Sequence, residues 1–167
     1  ADDELKNKIS EKLLKGLLEL PRLFSEILSQ NQNIKKLCKK FASSNSVLYL
    51  GRDILYPIAL EGALKLKEIS YLHAEGYASG ELKHGPIALI DKSMPLVALN
   101  PWSKVFEKTL SNLEEVKARR GKIILLTDKK GKELSKDLTK SIFQLPSCSD
   151  FLTPILYSLP LQLIAYY

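Results

Sequence analysis

Three charged residues and two histidines, gathered in one short stretch, are the residues of this sequence whose types and spacing suit catalysis. Lys65 and Glu68 stand three positions apart in a predicted helix, so their side chains share one face. Glu61 precedes Lys65 by four positions and joins that face. His73 and His84 are the only histidines of the chain. An acid, an ammonium group and an imidazole near one another are the parts of a proton-transfer site.

The same residues also fit a plainer alternative, a surface helix with an ordinary Glu–Lys pair and two incidental histidines. Short constellations of charged residues recur by chance, so residue types alone favour this alternative. For His73 we expect a packed, hydrogen-bonded histidine rather than a catalyst, because nothing in its spacing requires an imidazole.

The composition is typical of one globular domain with a full hydrophobic core: 167 residues, 45% hydrophobic and 26% charged. No apolar run is long enough to span a bilayer, and the N-terminus lacks the apolar segment of a signal peptide. Cys38 and Cys148 form no CxxC pair, and two histidines do not complete a metal pattern. We therefore predict reduced, packed cysteines, no metal, no cofactor, no membrane contact and a cytoplasmic location.

Lys and Arg outnumber Asp and Glu by 25 to 19, which gives a net charge of +6. The excess lysines lie mainly in 35–40 and 117–140, without interleaved aromatic residues or a recognised nucleic-acid module. We predict no nucleic-acid partner, and a weak attraction for anions such as sugar phosphates.

Helical and strand patterns alternate along the chain and predict the architecture. The first 42 residues are expected to form three helices, divided at Pro21 and at Asn33, and the third includes Phe41. An apolar residue recurs every four positions in the first helix: Leu5, Ile9, Leu13 and Leu17. We divide the chain into a helical segment, 1–42, that packs on the domain or on a neighbour, and an α/β domain, 43–167, which begins with a turn at 43–45.

Five apolar runs are predicted strands: 46–50, 73–78, 95–100, 122–127 and 141–145. The helices expected between them are 54–70, one turn at 80–84, 102–119, a short helix marked by Leu134 and Leu138, and 151–167. This alternation predicts an α/β fold, a three-layer α/β/α sandwich around a five-stranded parallel sheet. The turn Gly51-Arg52-Asp53 after the first strand is typical of folds that bind ligands at the carboxyl end of the sheet.

The phrases ALEGALKLKEISY, HAEGY and GELKHGPIALID are long and specific. The chain resembles the second sugar-isomerase (SIS) domain of the glutamine–fructose-6-phosphate aminotransferases, also called glucosamine-6-phosphate synthases. LLELPRLFSEILSQ on one side, and SNLEEVKARRGKIILLTD and TPILYSLPLQLIAYY on the other, extend the resemblance over nearly the whole chain. It implies the SIS fold, a homodimer through the SIS domains, and the conversion of fructose 6-phosphate and glutamine-derived ammonia to glucosamine 6-phosphate.

The resemblance also implies roles for individual residues. Glu68 matches the glutamate that moves a proton between C1 and C2 of the sugar, and Lys65 matches the lysine that supports the developing enolate oxygen. His84 matches the histidine that opens the sugar ring and reaches the site from the neighbouring subunit. Glu61 matches an acidic residue near this cluster, expected to contact substrate.

The sequence departs from the family at Asp53, where glycine is frequent; because aspartate tolerates the left-handed region, we expect the turn to survive. No glutaminase domain, no Ser/Thr-rich phosphate loop of the type SQSGET and no C-terminal imine-forming lysine occur in the chain. We expect it to be a fragment that alone binds fructose 6-phosphate weakly and catalyses nothing appreciable.

Two alternatives to this enzyme hypothesis stay open. One is a non-catalytic SIS module that binds phosphosugars in a regulator, and the other is a domain whose main task is dimerisation. Glu68, Lys65 and His84 together favour the enzyme, since a sensor needs no base, whereas dimerisation is compatible with it.

Overall fold

A five-stranded, all-parallel sheet forms the centre of the structure. The computed structural model describes residues 2–40 and 44–167, with the side chains of residues 9–40 and 44–167. The strands are β1 (Ser46–Gly51), β2 (His73–Ala78), β3 (Pro95–Leu99), β4 (Lys122–Thr127) and β5 (Ile142–Gln144). Their order across the sheet is β2-β1-β3-β4-β5, and every neighbouring pair is parallel. The predicted number, positions and direction of the strands are confirmed.

Helices cover both faces of this sheet, which confirms the three-layer sandwich. They are α1 (Asp2–Ser29), α2 (Asn31–Cys38), α3 (Tyr56–Ser70), α4 (Phe106–Ala118), α5 (Lys129–Leu134) and α6 (Thr153–Tyr166). Short 3₁₀ turns lie at Asp53–Leu55, Ser79–His84, Pro86–Leu89 and Asp150–Leu152.

Alternate residues of the central strands explain why both faces are covered. In β1, Val47 and Tyr49 pack with α1, α2, α3 and α6, whereas Leu48 and Leu50 pack with α4 and the turn after β2. Successive side chains of a strand point to opposite faces, so an unbroken apolar run requires a helical layer on each side.

The N-terminal helices pack on the domain, but not as three separate helices. α1 runs without interruption through Pro21, where the sequence predicts a boundary. Proline removes one backbone hydrogen bond, and burial of Leu20, Leu23 and Ile27 in the core on both sides of Pro21 compensates for it. Cys38 of α2 is buried in the same layer.

The described residues of the apolar stripe predicted for the first helix are not part of the hydrophobic core. Ile9 and Leu17 are exposed, and Leu13 is half-buried. The structure does not describe the side chain of Leu5, the residue Phe41 or the start of the turn at 43–45. The predictions for them therefore lie outside the described residues and side chains.

Two further helix boundaries differ from the predicted ones. α4 begins at Phe106 rather than Trp102, because the backbone N–H of Trp102 donates to the Asp128 carboxylate (3.1 Å) in a turn. α5 ends at Leu134, so Leu138 lies beyond it. Its start is fixed by Asp128, whose carboxylate caps the helix by accepting from the Gly131 N–H (2.9 Å).

The turn after β1 survives the replacement of the family's glycine, as predicted. Asp53 has φ = 56°, in the left-handed region that aspartate tolerates, and it opens the 3₁₀ turn that leads into α3. The adjacent Gly51 is needed for space, since a Cβ built there would lie 2.1 Å from the Leu55 carbonyl oxygen.

Both cysteines are free thiols, as predicted. Burial raises the pKa of the Cys38 thiol to about 11, so this group stays neutral at physiological pH. Cys148 is only half-buried.

Replacement of Gly51 by alanine should destabilise the domain by about 2–3 kcal/mol, because the new Cβ would overlap the Leu55 backbone. The measurement is urea unfolding followed by circular dichroism. Gly80→Ala is the matched control: its Cβ would meet only the Arg52 guanidinium at 3.5 Å, so we expect a change below about 0.5 kcal/mol. Equal destabilisation by the two variants would contradict the steric account of this turn.

Candidate active site

Helix α3 carries the predicted charged cluster on its outer face. The helix opens with Pro57 in its first turn, where the missing N–H costs nothing. It ends at Ser70 and is capped by Tyr71, which has a left-handed conformation (φ = 60°) and donates its N–H to the Lys67 carbonyl. The buried side consists of small residues and one leucine: Ala59, Gly62, Ala63 and Leu66. The opposite side is left for charged residues.

Two glycines let α3 lie close to the sheet. A Cβ on Gly62 would lie 3.1 Å from the ring of Tyr49 in β1, and a Cβ on Gly76 in β2 would lie 2.9 Å from the Leu60 backbone. Any larger residue at these points would push the helix outwards. The position of the charged face is therefore fixed by contacts with the sheet.

Lys65 lies between two carboxylates on this face. Its Nζ is 2.8 Å from Glu68 Oε2 and 3.7 Å from Glu61 Oε1. About a third of the Lys65 side chain is exposed and close to half of each glutamate side chain, so a ligand can reach all three. The predicted grouping of Glu61, Lys65 and Glu68 is thus present in the structure.

The environment of Lys65 keeps its ammonium charged. The hydrogen bond and the charge of Glu68, followed by the charge of Glu61, raise the pKa of Lys65 above its usual value. Such a lysine provides a fixed positive charge for a developing oxyanion. A nucleophilic lysine requires a lowered pKa instead, so Lys65 is not set up to form an imine.

His84 lies apart from this cluster within the chain. Because α3 connects the parallel strands β1 and β2, it runs antiparallel to them, and its last turns with Glu68 lie near the amino end of β2. His84 ends the Ser79–His84 turn, which follows the carboxyl end of β2. A strand of six residues spans about 17 Å. The exposed His84 is therefore not assembled with Glu68 inside one chain.

His73 is exposed, so the predicted packed environment is wrong. It is the first residue of edge strand β2, and its Nε2 lies 3.6 Å from Glu75 Oε1. Glu75 also accepts a hydrogen bond from the Tyr77 hydroxyl, and this bond raises the pKa of Tyr77. Glu75 and Tyr77 are not among the predicted site residues, although the two-residue spacing His73-x-Glu75-x-Tyr77 on a predicted strand indicates a shared face.

A pocket of about 270 Å³ lies at the carboxyl end of the sheet. The glycine turn after β1 predicts ligand binding at this end. The wall of the pocket includes Arg52, Asn100 and Lys104. The cluster of Glu61, Lys65 and Glu68 is not part of that wall. The candidate active site therefore lies on the flank of α3 rather than at the topological position that the turn suggests.

Metal and membrane features are absent from the part of the chain that the structure describes. The described side chains, those of residues 9–40 and 44–167, contain no group of three or more His, Cys, Asp and Glu suited to a metal ion. In the described ranges 2–40 and 44–167, no helix has the length and apolar character needed to cross a membrane.

Glu68→Gln should lower the pKa of Lys65, because Glu68 supplies the largest stabilisation of the charged ammonium. The pKa is measured from the Lys65 side-chain signals in an NMR titration. Glu61→Gln is the control and should lower the pKa less, since its oxygen lies at 3.7 Å rather than 2.8 Å. A larger effect of Glu61→Gln would contradict the observed geometry.

The similarities to known proteins agree with the fold. The chain is 54% identical over 167 residues to the isomerizing glutamine–fructose-6-phosphate aminotransferase of Bradyrhizobium diazoefficiens, covering 100% of this chain and 28% of that protein. The corresponding Bartonella quintana protein is 52% identical over 163 residues, covering 98% and 27%. The chain thus spans little more than a quarter of the length of these relatives.

A solved structure shows the same architecture. The C-terminal domain of glucosamine-fructose-6-phosphate aminotransferase from Francisella tularensis superimposes with a TM-score of 0.85 at 45% identity, covering 93% of this chain and 43% of that one. These similarities confirm the resemblance found in the sequence motifs. The SIS domain model matches residues 40–167, and the chain therefore belongs to the SIS domain family.

Proposed function

We propose that this chain is the second SIS domain of a glucosamine-6-phosphate synthase, which converts fructose 6-phosphate and glutamine-derived ammonia to glucosamine 6-phosphate. The observation that carries the proposal is the 2.8 Å pair of Lys65 and Glu68 on the accessible face of α3. Relatives that are 52–54% identical over nearly the whole chain bear the name of this enzyme.

In the proposed isomerisation, Glu68 is the base. Its carboxylate removes a proton from C1 of the aminated ketose, the electron pair of that C–H bond forms the C1–C2 double bond, and the π pair of the C2=N bond moves onto the nitrogen. Glu68 then delivers the proton to C2, while the proton of the C1 hydroxyl passes to the nitrogen on C2, which leaves an aldehyde at C1. The base must lie within hydrogen-bond reach of the carbon acid, as an exposed side chain on a rigid helix can.

Lys65 and Glu61 support this step. The oxygen on C1 gains negative charge as its hydroxyl proton leaves for the nitrogen, and the protonated Lys65 stabilises it. Lys65 already sits between two carboxylates, which fixes the direction of its ammonium group before substrate arrives. Glu61 completes this arrangement and contacts substrate.

We further propose that His84 opens the sugar ring in the site of a second copy of this chain. His84 and Glu68 lie at opposite ends of β2, so one chain alone does not bring the two side chains together. This separation supports the proposal. A homodimer through the SIS domains would supply each site with the histidine of its partner. An imidazole titrates near neutral pH and can both donate and accept a proton during ring opening.

The remaining assignments extend the same proposal. We propose that residues 1–42 are a helical segment packed on the SIS domain, 43–167, and that the protein works in the cytoplasm, which its two free thiols favour. The sequence contains no loop of the type SQSGET, so the sugar phosphate is held elsewhere in the synthase. This chain by itself then catalyses no appreciable conversion.

Glu68→Gln in the synthase polypeptide that contains this chain should lower glucosamine 6-phosphate formation by about a thousandfold, the usual contribution of a general base. Glutamine hydrolysis, measured separately as glutamate release, should persist. Glu133→Gln is the control, since this exposed carboxylate on α5 lies outside the cluster, and it should leave both activities unchanged.

Retained sugar product in the Glu68→Gln variant would overturn the proposal. The charged cluster would then be structural, and the chain would fit a phosphosugar-binding module better than an isomerase. Loss of both activities with a normal circular dichroism spectrum would also contradict it, because the isomerisation step would no longer be the one affected.

A further inference from the structure

The turn that carries His84 is held from one side by helix α4. Ser79–His84 has no side-chain cap at its start, and it ends at Gly85, whose φ of 140° is accessible to glycine but strained for other residues. Six residues of 3₁₀ helix with poor hydrogen-bond geometry are not rigid by themselves. Contacts from elsewhere in the fold must therefore fix the direction in which His84 projects.

The first contact is a buried side-chain clamp on Ser79. The Asn112 side-chain amide donates to the Ser79 carbonyl oxygen (2.6 Å) and also contacts the Ser79 hydroxyl (3.2 Å). Ser79 is fully buried and Asn112 nearly so. A buried polar group that loses its partner costs more than an exposed one, so this clamp holds the start of the turn.

The second contact lies at the other end of the same turn. Lys83, next to His84, forms an ion pair with Glu115, three positions after Asn112 on α4. Residues three apart share one helix face, so one side of α4 contacts both ends of the turn. Between them, Leu82 is fully buried in the core layer that also contains Leu113 of α4.

We propose that Asn112 and Glu115 are positioning residues for His84, holding the Ser79–His84 turn at both ends so that the imidazole projects towards the active site of the partner chain. This rests on the proposed function, because it assigns Asn112 and Glu115 a part in the reaction that His84 performs. Neither side chain touches substrate in this proposal. They act through the backbone of the turn.

The clamp itself is tested in this chain by backbone amide hydrogen exchange. Asn112→Ala should speed exchange of the amides of residues 80–84 by about tenfold, because the turn opens locally once Ser79 is released. Thr109→Val is the matched control on α4: Thr109 is also buried, but its hydroxyl donates to the carbonyl of Val105 (3.3 Å), the residue just before the helix, and not to the turn. It should leave exchange at 80–84 unchanged.

If amide exchange in Asn112→Ala were accelerated equally in β1, β3 and β4, the variant would be globally destabilised. That result would contradict a local role of Asn112 in holding the turn. Exchange at residues 80–84 that stays at the wild-type rate would overturn it as well. Neither outcome depends on whether the synthase activity is correctly assigned.

The link to His84 is tested by reversing the charges of the Lys83–Glu115 ion pair in the synthase. Lys83→Glu and Glu115→Lys should each lower the kcat for glucosamine 6-phosphate formation by about tenfold with little change in KM, as expected when a catalytic group is misdirected. The double variant restores the pair with reversed charges and should recover most of the activity. Glu114→Lys, the same charge change on an exposed neighbour, is the control and should leave kcat unchanged.

A double variant no more active than the single ones would overturn the positioning role, since a pair that acts through geometry is restored by reversal. His84→Ala separates this failure from a failure of the proposed function. If His84→Ala keeps full sugar product formation, the role of His84 is wrong, whereas the exchange experiment still decides whether α4 holds the turn.

Discussion

The close packing of α3 against β1 and β2 is the constraint on which the rest of the structure depends. Gly62 lies against the Tyr49 ring and Gly76 against the Leu60 backbone, at distances that leave no room for a side chain. The helix is therefore fixed against the sheet along its buried side, and only its outer side is free to carry charge. Catalytic groups on a rigid helix keep their relative positions better than groups on a loop.

This packing separates the proposed catalytic groups into two sets. Lys65 and Glu68 form one rigid pair on α3, with a lysine that stays charged because two carboxylates surround it. His84 belongs to a turn beyond the other end of β2, held by Asn112 and Glu115 of α4. In the proposed reaction, a site composed of both sets would be shared between two copies of the chain, so catalysis and assembly would depend on each other.

Much of the fold was predictable from local pattern, and the failures have physical causes. Apolar runs with glycine turns gave the five strands, and Asp53 tolerated the left-handed turn as its chemistry suggests. The helix boundary predicted at Pro21 is wrong, because tertiary packing on both sides of the proline outweighs the loss of one backbone hydrogen bond. Helical spacing located Lys65 and Glu68 on one face, but the contact of Asn112 with Ser79 links residues 33 positions apart and leaves no local signal.

The measurement that tests the central claim most directly is chemical rescue of Glu68→Ala in the synthase by added formate. If Glu68 is the base, a small carboxylate entering the vacated space should restore glucosamine 6-phosphate formation by about tenfold or more. The same formate should not rescue Lys65→Met, because a carboxylate cannot replace an ammonium group. No rescue of a folded, dimeric Glu68→Ala variant, or equal rescue of both variants, would contradict the account.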